Sequence, residues 1–151
     1  MSTIREARGS DAALLVAFNI AMALETEGKA LDPELVGRGV RRALADGDRG
    51  RYFVSERAGV IVGALLVTRE WSDWRDAWFW WIQSVYVQPD QRRGGVFRGL
   101  YREVEAQARA AGDVWGLRLY VEGDNRRARQ TYEQLGMGHA SYELYEVALD
   151  P

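Results

Sequence analysis

Apolar and polar positions along this chain fall into blocks of two different periods. Residues 2–8 alternate weakly and predict a short first strand. Ser10 and Asp11 offer N-cap chemistry for an apolar run over 12–24, long enough for a helix. Glu25, Thr26, Glu27, Gly28 and Lys29 break that run. Asp32, Pro33 and Glu34 read as an N-cap with proline at the first helical position, opening a second helix that fades at Asp46, Gly47 and Asp48. Residues 52–56 and 60–68 read as two strands around the turn Arg57, Ala58, Gly59. A polar stretch over 70–76 follows, and then a strand over Ala77–Val87, rich in aromatic and β-branched residues.

Downstream the period returns to that of a helix. Val96, Leu100, Val104 and Ala108 recur on one face over Val96–Ala111, and Gly112 ends the pattern. Residues 114–121 predict a strand, 125–135 a helix closed by Gly136, and 142–149 a last strand. The predicted order is β-α-α-β-β-β-α-β-α-β. Three strands in succession point to an α/β class of the α+β kind, a mixed sheet with helices on both faces, rather than a doubly wound parallel sheet. No internal repeat or linker interrupts the chain, so residues 1–151 read as one domain.

Composition narrows the chemistry. The 151 residues are 47% hydrophobic and 28% charged, ordinary for a globular protein. A net charge of -2 excludes the broad basic footprint of a nucleic-acid binder. Cysteine is absent, which removes disulfides, a thiolate nucleophile and sulfur-ligated zinc. The lone histidine, His139, has no metal-ligating neighbours in sequence and reads as a solvent-facing or capping residue. No run approaches the roughly 18 apolar residues of a membrane span, and no apolar signal core follows Met1, so a cytoplasmic protein with no metal and no membrane partner is expected. Of the 20 basic residues only Lys29 is lysine.

One local feature carries chemistry. The strand ending Val85-Tyr86-Val87 runs through Gln88, Pro89, Asp90 and Gln91 into Arg92-Arg93-Gly94-Gly95, and the helix starts at once with Val96 and Phe97. Backbone N–H groups at a helix start, exposed by glycines and flanked by arginines, make an anion site suited to phosphate or pyrophosphate. It is neither a Walker loop nor the dinucleotide fingerprint. A plain strand–helix turn with its arginines in solvent is the competing reading.

This strand–turn–helix resembles the acyl-CoA-binding motif of the GNAT superfamily of N-acetyltransferases, whose Gln/Arg-x-x-Gly-x-Gly/Ala pattern falls on residues 92–97. Arg92 and Gly95 are in place, while Phe97 departs from the small last residue. A second family signature matches downstream: Asn125 at a helix start, Ala128, Tyr132, then Leu135-Gly136-Met137. The resemblance implies an acetyl-CoA-dependent N-acetyltransferase whose cofactor lies where two parallel strands splay. Its pantetheine arm would bond backbone over Val85, Tyr86 and Val87, and its pyrophosphate would lie over Arg92, Arg93, Gly94, Gly95, Val96 and Phe97. Asn125 would contact the cofactor arm. Tyr132 would protonate the leaving thiolate, with a core tyrosine as the competing reading. Glu122 is the first candidate for the general base, against an exposed carboxylate near a helix start. Gln83 would order a water.

In the same family the acceptor usually lies between the first two helices and the loop joining the third and fourth strands. Glu25, Glu27 and Asp32 fall in the first region, with Asn19 and Met22 nearby; Glu70, Trp71, Asp73, Trp74 and Asp76 fall in the second. Carboxylates beside indole faces suit a small-molecule cationic amine. These acidic segments would hold the acceptor apart from the basic cofactor turn. A solvated loop and a homodimer contact are the competing readings, because Trp78, Phe79, Trp80 and Trp81 cannot all face inward on one strand. The expected reaction is direct attack of a primary amine in a ternary complex, since no cysteine can carry an acyl group. Two other functions stay open: a non-catalytic acyl-CoA-binding or sensing module, and an acetyltransferase acting on protein amines.

Overall fold

The computed structural model describes residues 2–150. They fall into two compact units, one reaching to Tyr120 and one beginning at Val121. The first unit holds a five-stranded mixed sheet of order β1-β2-β3-β4-β5: β1 (Ser2–Glu6), β2 (Arg51–Arg57), β3 (Val60–Ser72), β4 (Ala77–Val87) and β5 (Val114–Leu119). Neighbours are antiparallel from β1 to β4, and β4 with β5 is the parallel pair. This is the mixed α/β architecture that the alternating periods predicted.

Alternation along the strands sends residues to opposite faces, and each face takes its own helices. Tyr52, Val54, Ala64 and Tyr86 pack with Leu15 and Phe18 of α1 (Ala12–Glu27) and Val40 of α2 (Pro33–Ala45). Arg51 and Phe53 point the other way. There Arg51 bonds Gln107 of α3 (Val96–Ala111), whose Leu100 and Val104 are fully buried. Gly63 of β3 lets that helix come close: a Cβ there would lie 2.7 Å from Val96 Cγ1.

Several boundaries differ from the sequence reading. β1 stops at Glu6, and Asp11, which has no capping bond to α1, accepts from the Arg5 guanidinium at 2.8 Å and from the Arg8 N–H at 2.7 Å. That pairing holds the Asp11 carboxyl below its ordinary pKa. α1 runs on through Glu25 and Glu27, which are good helix formers, and ends where Gly28 takes φ +64. Residues 70–72 belong to β3 rather than to a loop, because Trp71 meets Trp78 edge-on at 4.9 Å across the ladder.

The second unit, taken by itself, contains α4 (Arg126–Gln134), capped by Asn125 and closed at Gly136 with φ +96. No strand forms over residues 142–149, contrary to the alternating pattern there. A strand exists only through a ladder with a neighbour, which alternation alone does not supply. Leu144, Tyr145 and Val147 are exposed, Tyr145 at 89%.

Candidate active site

The first unit builds its site at the free end of β4. Pairing between β4 and β5 ends at Ile82 with Leu119, and past that pair no ladder joins the two strands among the described residues. The cause is a bulge in β4. Gln83 pairs Leu66 and Tyr86 pairs Ala64, so β4 spends one residue more than β3 over the same step. Ser84 sits there at φ +52, a left-handed conformation that costs a side-chain-bearing residue energy. From Gln83 to Val87 the strand therefore keeps β3 on one side and loses β5 on the other. An extended ligand can take that side as an added strand.

β4 then runs through a short turn, Pro89–Gln91, into α3. Arg93 at φ +65 and Gly95 at φ +83 fold the chain sharply at the helix start. No side chain caps α3, and a Cβ built on Gly95 meets nothing within 4 Å. An open, uncapped helix start carries partial positive charge and N–H donors aimed outward. The residues present fit a pyrophosphate. Arg57 of β2 braces the turn from beneath, donating to Gly94 O at 2.8 Å, Gln91 Oε1 at 3.0 Å and Ser2 Oγ at 2.8 Å. Phe97 lies 6.2 Å from the Tyr101 ring on α3.

The expected separation of acidic acceptor residues from the basic turn does not hold for Glu25. Because α1 extends to Glu27, Glu25 reaches the turn: its Oε2 accepts from Arg92 Nη2 at 2.8 Å and its Oε1 from Tyr86 Oη at 3.4 Å. Arg92 also donates Nε to Val87 O at 2.9 Å and lies over the Tyr86 ring at 5.4 Å. Burial, and then the Glu25 charge, raise the Tyr86 pKa above its ordinary value.

The other acceptor candidates scatter. Glu27 pairs with Lys29 at 3.4 Å in solvent. Gln83 bonds Thr68 Oγ1 at 2.8 Å. Glu70 accepts from Arg118 Nη1 at 2.8 Å and Trp81 Nε1 at 3.0 Å, so its charge is balanced locally. Arg118 lies 3.6 Å over Phe79, and Tyr120 stacks on Trp81 at 4.5 Å. Trp71 and Trp74 lie toward the β3–β4 turn, at the end of β4 away from the bulge, and Trp74 is 86% exposed. A cavity of about 340 Å³ also lies toward that end, and Arg69 and Arg51 already cover the faces of Trp78 and Trp80 that line it.

In the second unit Asn125 Oδ1 accepts from Ala128 N at 3.1 Å, so this residue caps α4 with its oxygen. Tyr132 is half-buried, and burial raises its pKa, which keeps the hydroxyl protonated at neutral pH. Glu122 is exposed. No group of three or more His, Asp or Glu among the described residues could hold a metal ion, and none of their helices is long and apolar enough to cross a membrane. Sequence reasoning missed Arg57 and Arg118, and it marked Ser84 only as a neighbour of Gln83 where some relatives carry the base, not as the bulge residue. Arg57 was legible only as part of a turn, and Arg118 depends on strand register.

The sequence profile of the acetyltransferase (GNAT) family matches residues 19–137. No curated protein matches the chain. A solved structure described as a possible acetyltransferase from Clostridium difficile 630 is 40% identical, with 99% of this chain and 98% of that chain covered at a TM-score of 0.91. A predicted acetyltransferase with acetyl-CoA from Clostridium acetobutylicum (18% identity, 99% and 97% covered, TM-score 0.76) shares the fold. So does an aminoglycoside acetyltransferase from an uncultured soil metagenomic sample (17%, 98% and 99%, TM-score 0.75). The chain belongs to the acetyltransferase (GNAT) family and is an N-acetyltransferase, an enzyme class that uses acetyl-CoA as donor.

Proposed function

We propose that this enzyme moves an acetyl group to the primary amine of a small cationic acceptor by direct attack within a ternary complex. The observation that carries the reading is the release of β4 from β5 beyond Ile82, with the carboxylate of Glu25 at the freed end. Bound there, acetyl-CoA supplies a thioester whose C–S bond is exchanged for an N–C bond, leaving one proton for the sulfur. The backbone of Val85 and Val87 would orient the pantetheine arm. The start of α3, from Gly95 through Val96 and Phe97, would hold the pyrophosphate. The family profile spans both units, which supports one acetyltransferase domain over residues 1–151. A cytoplasmic, homodimeric enzyme is part of the same proposal. The exposed Trp71 and Trp74 support a subunit contact.

In this reading Tyr132 holds its proton on Oη and offers it to the departing sulfur, Glu122 takes the proton of the attacking amine, and Asn125 contacts the cofactor arm. A tyrosine raised above pH 10 by burial stays a competent acid across the neutral range. Tyr132→Phe should therefore lower kcat by about 10²–10⁴-fold while CoA affinity holds. In the wild type the alkaline limb due to this group should appear only above about pH 10. Free-thiol release from acetyl-CoA is the assay, run with a polyamine, an aminoglycoside and a peptide bearing a free amino-terminal alanine. Turnover with the small cationic amines supports the proposal. Turnover with the peptide alone replaces it by a protein-directed activity, and full kcat in Tyr132→Phe returns that residue to packing.

A further inference from the structure

We propose that Arg92 and Glu25 form an exchangeable pair, in which the pyrophosphate of CoA takes Arg92 from Glu25 and leaves Glu25 as the carboxylate that binds the acceptor amine. The proposal rests on the acetyl-CoA-dependent reading above. It starts from a mismatch: Arg92 lies in the turn that should meet an anionic ligand, yet its Nη2 is already on Glu25 at 2.8 Å. The guanidinium is positioned independently of that carboxylate, since Nε is fixed on Val87 O at 2.9 Å and the group lies over the Tyr86 ring. Removing Glu25 as a partner would therefore leave Arg92 at the turn.

The pair is also of the kind that exchanges. Arg92 and Glu25 side chains are 43% and 40% exposed, and ion pairs this open to water are weak. A pyrophosphate brings more charge than one carboxylate and sits in the field of the α3 start, so it is the stronger claimant for the guanidinium. Once Arg92 turns to it, Glu25 keeps the 3.4 Å bond from the hydroxyl of the buried Tyr86. An ammonium restores the missing positive charge. Donor binding thereby prepares the acceptor site, and the coupling is reciprocal.

The test needs no acceptor and no turnover. Calorimetric titration of CoA, with pantetheine as a probe lacking phosphate, is compared across wild type, Glu25→Gln, Arg92→Gln and the double variant. Exchange predicts that Glu25→Gln tightens CoA about two- to fivefold, the range an exposed ion pair supports, and leaves pantetheine unchanged. In the Arg92→Gln background the same substitution should have no effect on CoA, because the competition is already gone. An equal gain in both backgrounds means general charge repulsion and overturns the exchange. So does an unchanged or weaker CoA affinity in a Glu25→Gln variant of normal melting temperature, which assigns the pair a purely structural role. Wild type that binds no CoA overturns the acetyltransferase reading itself, whereas the other two failures leave that reading intact.

Discussion

From Trp78 to Ile82, β4 has strand neighbours on both sides, β3 and β5; from Gln83 to Val87 it has β3 alone. Their compositions differ as well: Trp78–Ile82 is wholly aromatic and aliphatic, while the open half brings in the polar Gln83 and Ser84. The closed half packs: Phe79, Trp80 and Ile82 are buried, and Arg51 and Arg118 lie over the rings of Trp80 and Phe79. The open half packs Tyr86 against Phe18 and leaves one backbone edge without a strand neighbour. One extra residue at the bulge accompanies the end of the ladder with β5 and leaves β4 with a single strand neighbour.

The contrast can be broken from either side. Trp80→Ala, in the closed half, should cost about 3–5 kcal/mol of stability, the usual loss for a large buried aromatic, read as a fall in melting temperature. CoA affinity of the remaining folded protein should hold; if it falls in parallel, the halves are not separable. Gly95→Leu, at the turn served by the open half, should do the reverse. It fills the open space before α3 and asks a branched residue to adopt φ +83, so CoA affinity should fall about tenfold, which is 1.4 kcal/mol. Unchanged affinity by calorimetry would remove the pyrophosphate from this turn. The smallest effect is expected at the boundary itself. Ser84→Gly relieves the left-handed strain but adds chain entropy, so stability should rise by less than about 1 kcal/mol with CoA affinity kept. A loss of CoA affinity in this variant would give the serine side chain a role that its backbone does not have.

What was legible follows from how local each signal is. β4 and α3 were readable to the residue because aromatic enrichment, helical spacing and two flanking glycines all lie within their own segments. The turn between them, with its arginines and glycines, was readable for the same reason. The bulge was not: Gln83, Ser84 and Val85 carry no turn chemistry, and the extra residue exists only relative to β3. Arg57 and Arg118 reach their places through register, which depends on pairing between distant segments. Glu25 was found as an acidic candidate but put on the wrong side of the charge pattern, because its partner is Arg92, brought near only by the fold. The alternation over residues 142–149 was a true pattern without a neighbouring strand to realise it.

Lys29, which pairs with Glu27 just past the end of α1, is the only lysine in the sequence. Thioesters acylate exposed amines without any enzyme, and a protein that works on acetyl-CoA is bathed in such a reagent. Guanidinium groups stay protonated and are poor nucleophiles, so an arginine-dominated surface resists that damage. Lys29 is then the one side-chain amine exposed to it, four residues beyond Glu25. The same scarcity makes Lys29 the single side-chain amine for an amine-reactive dye, just past the end of α1.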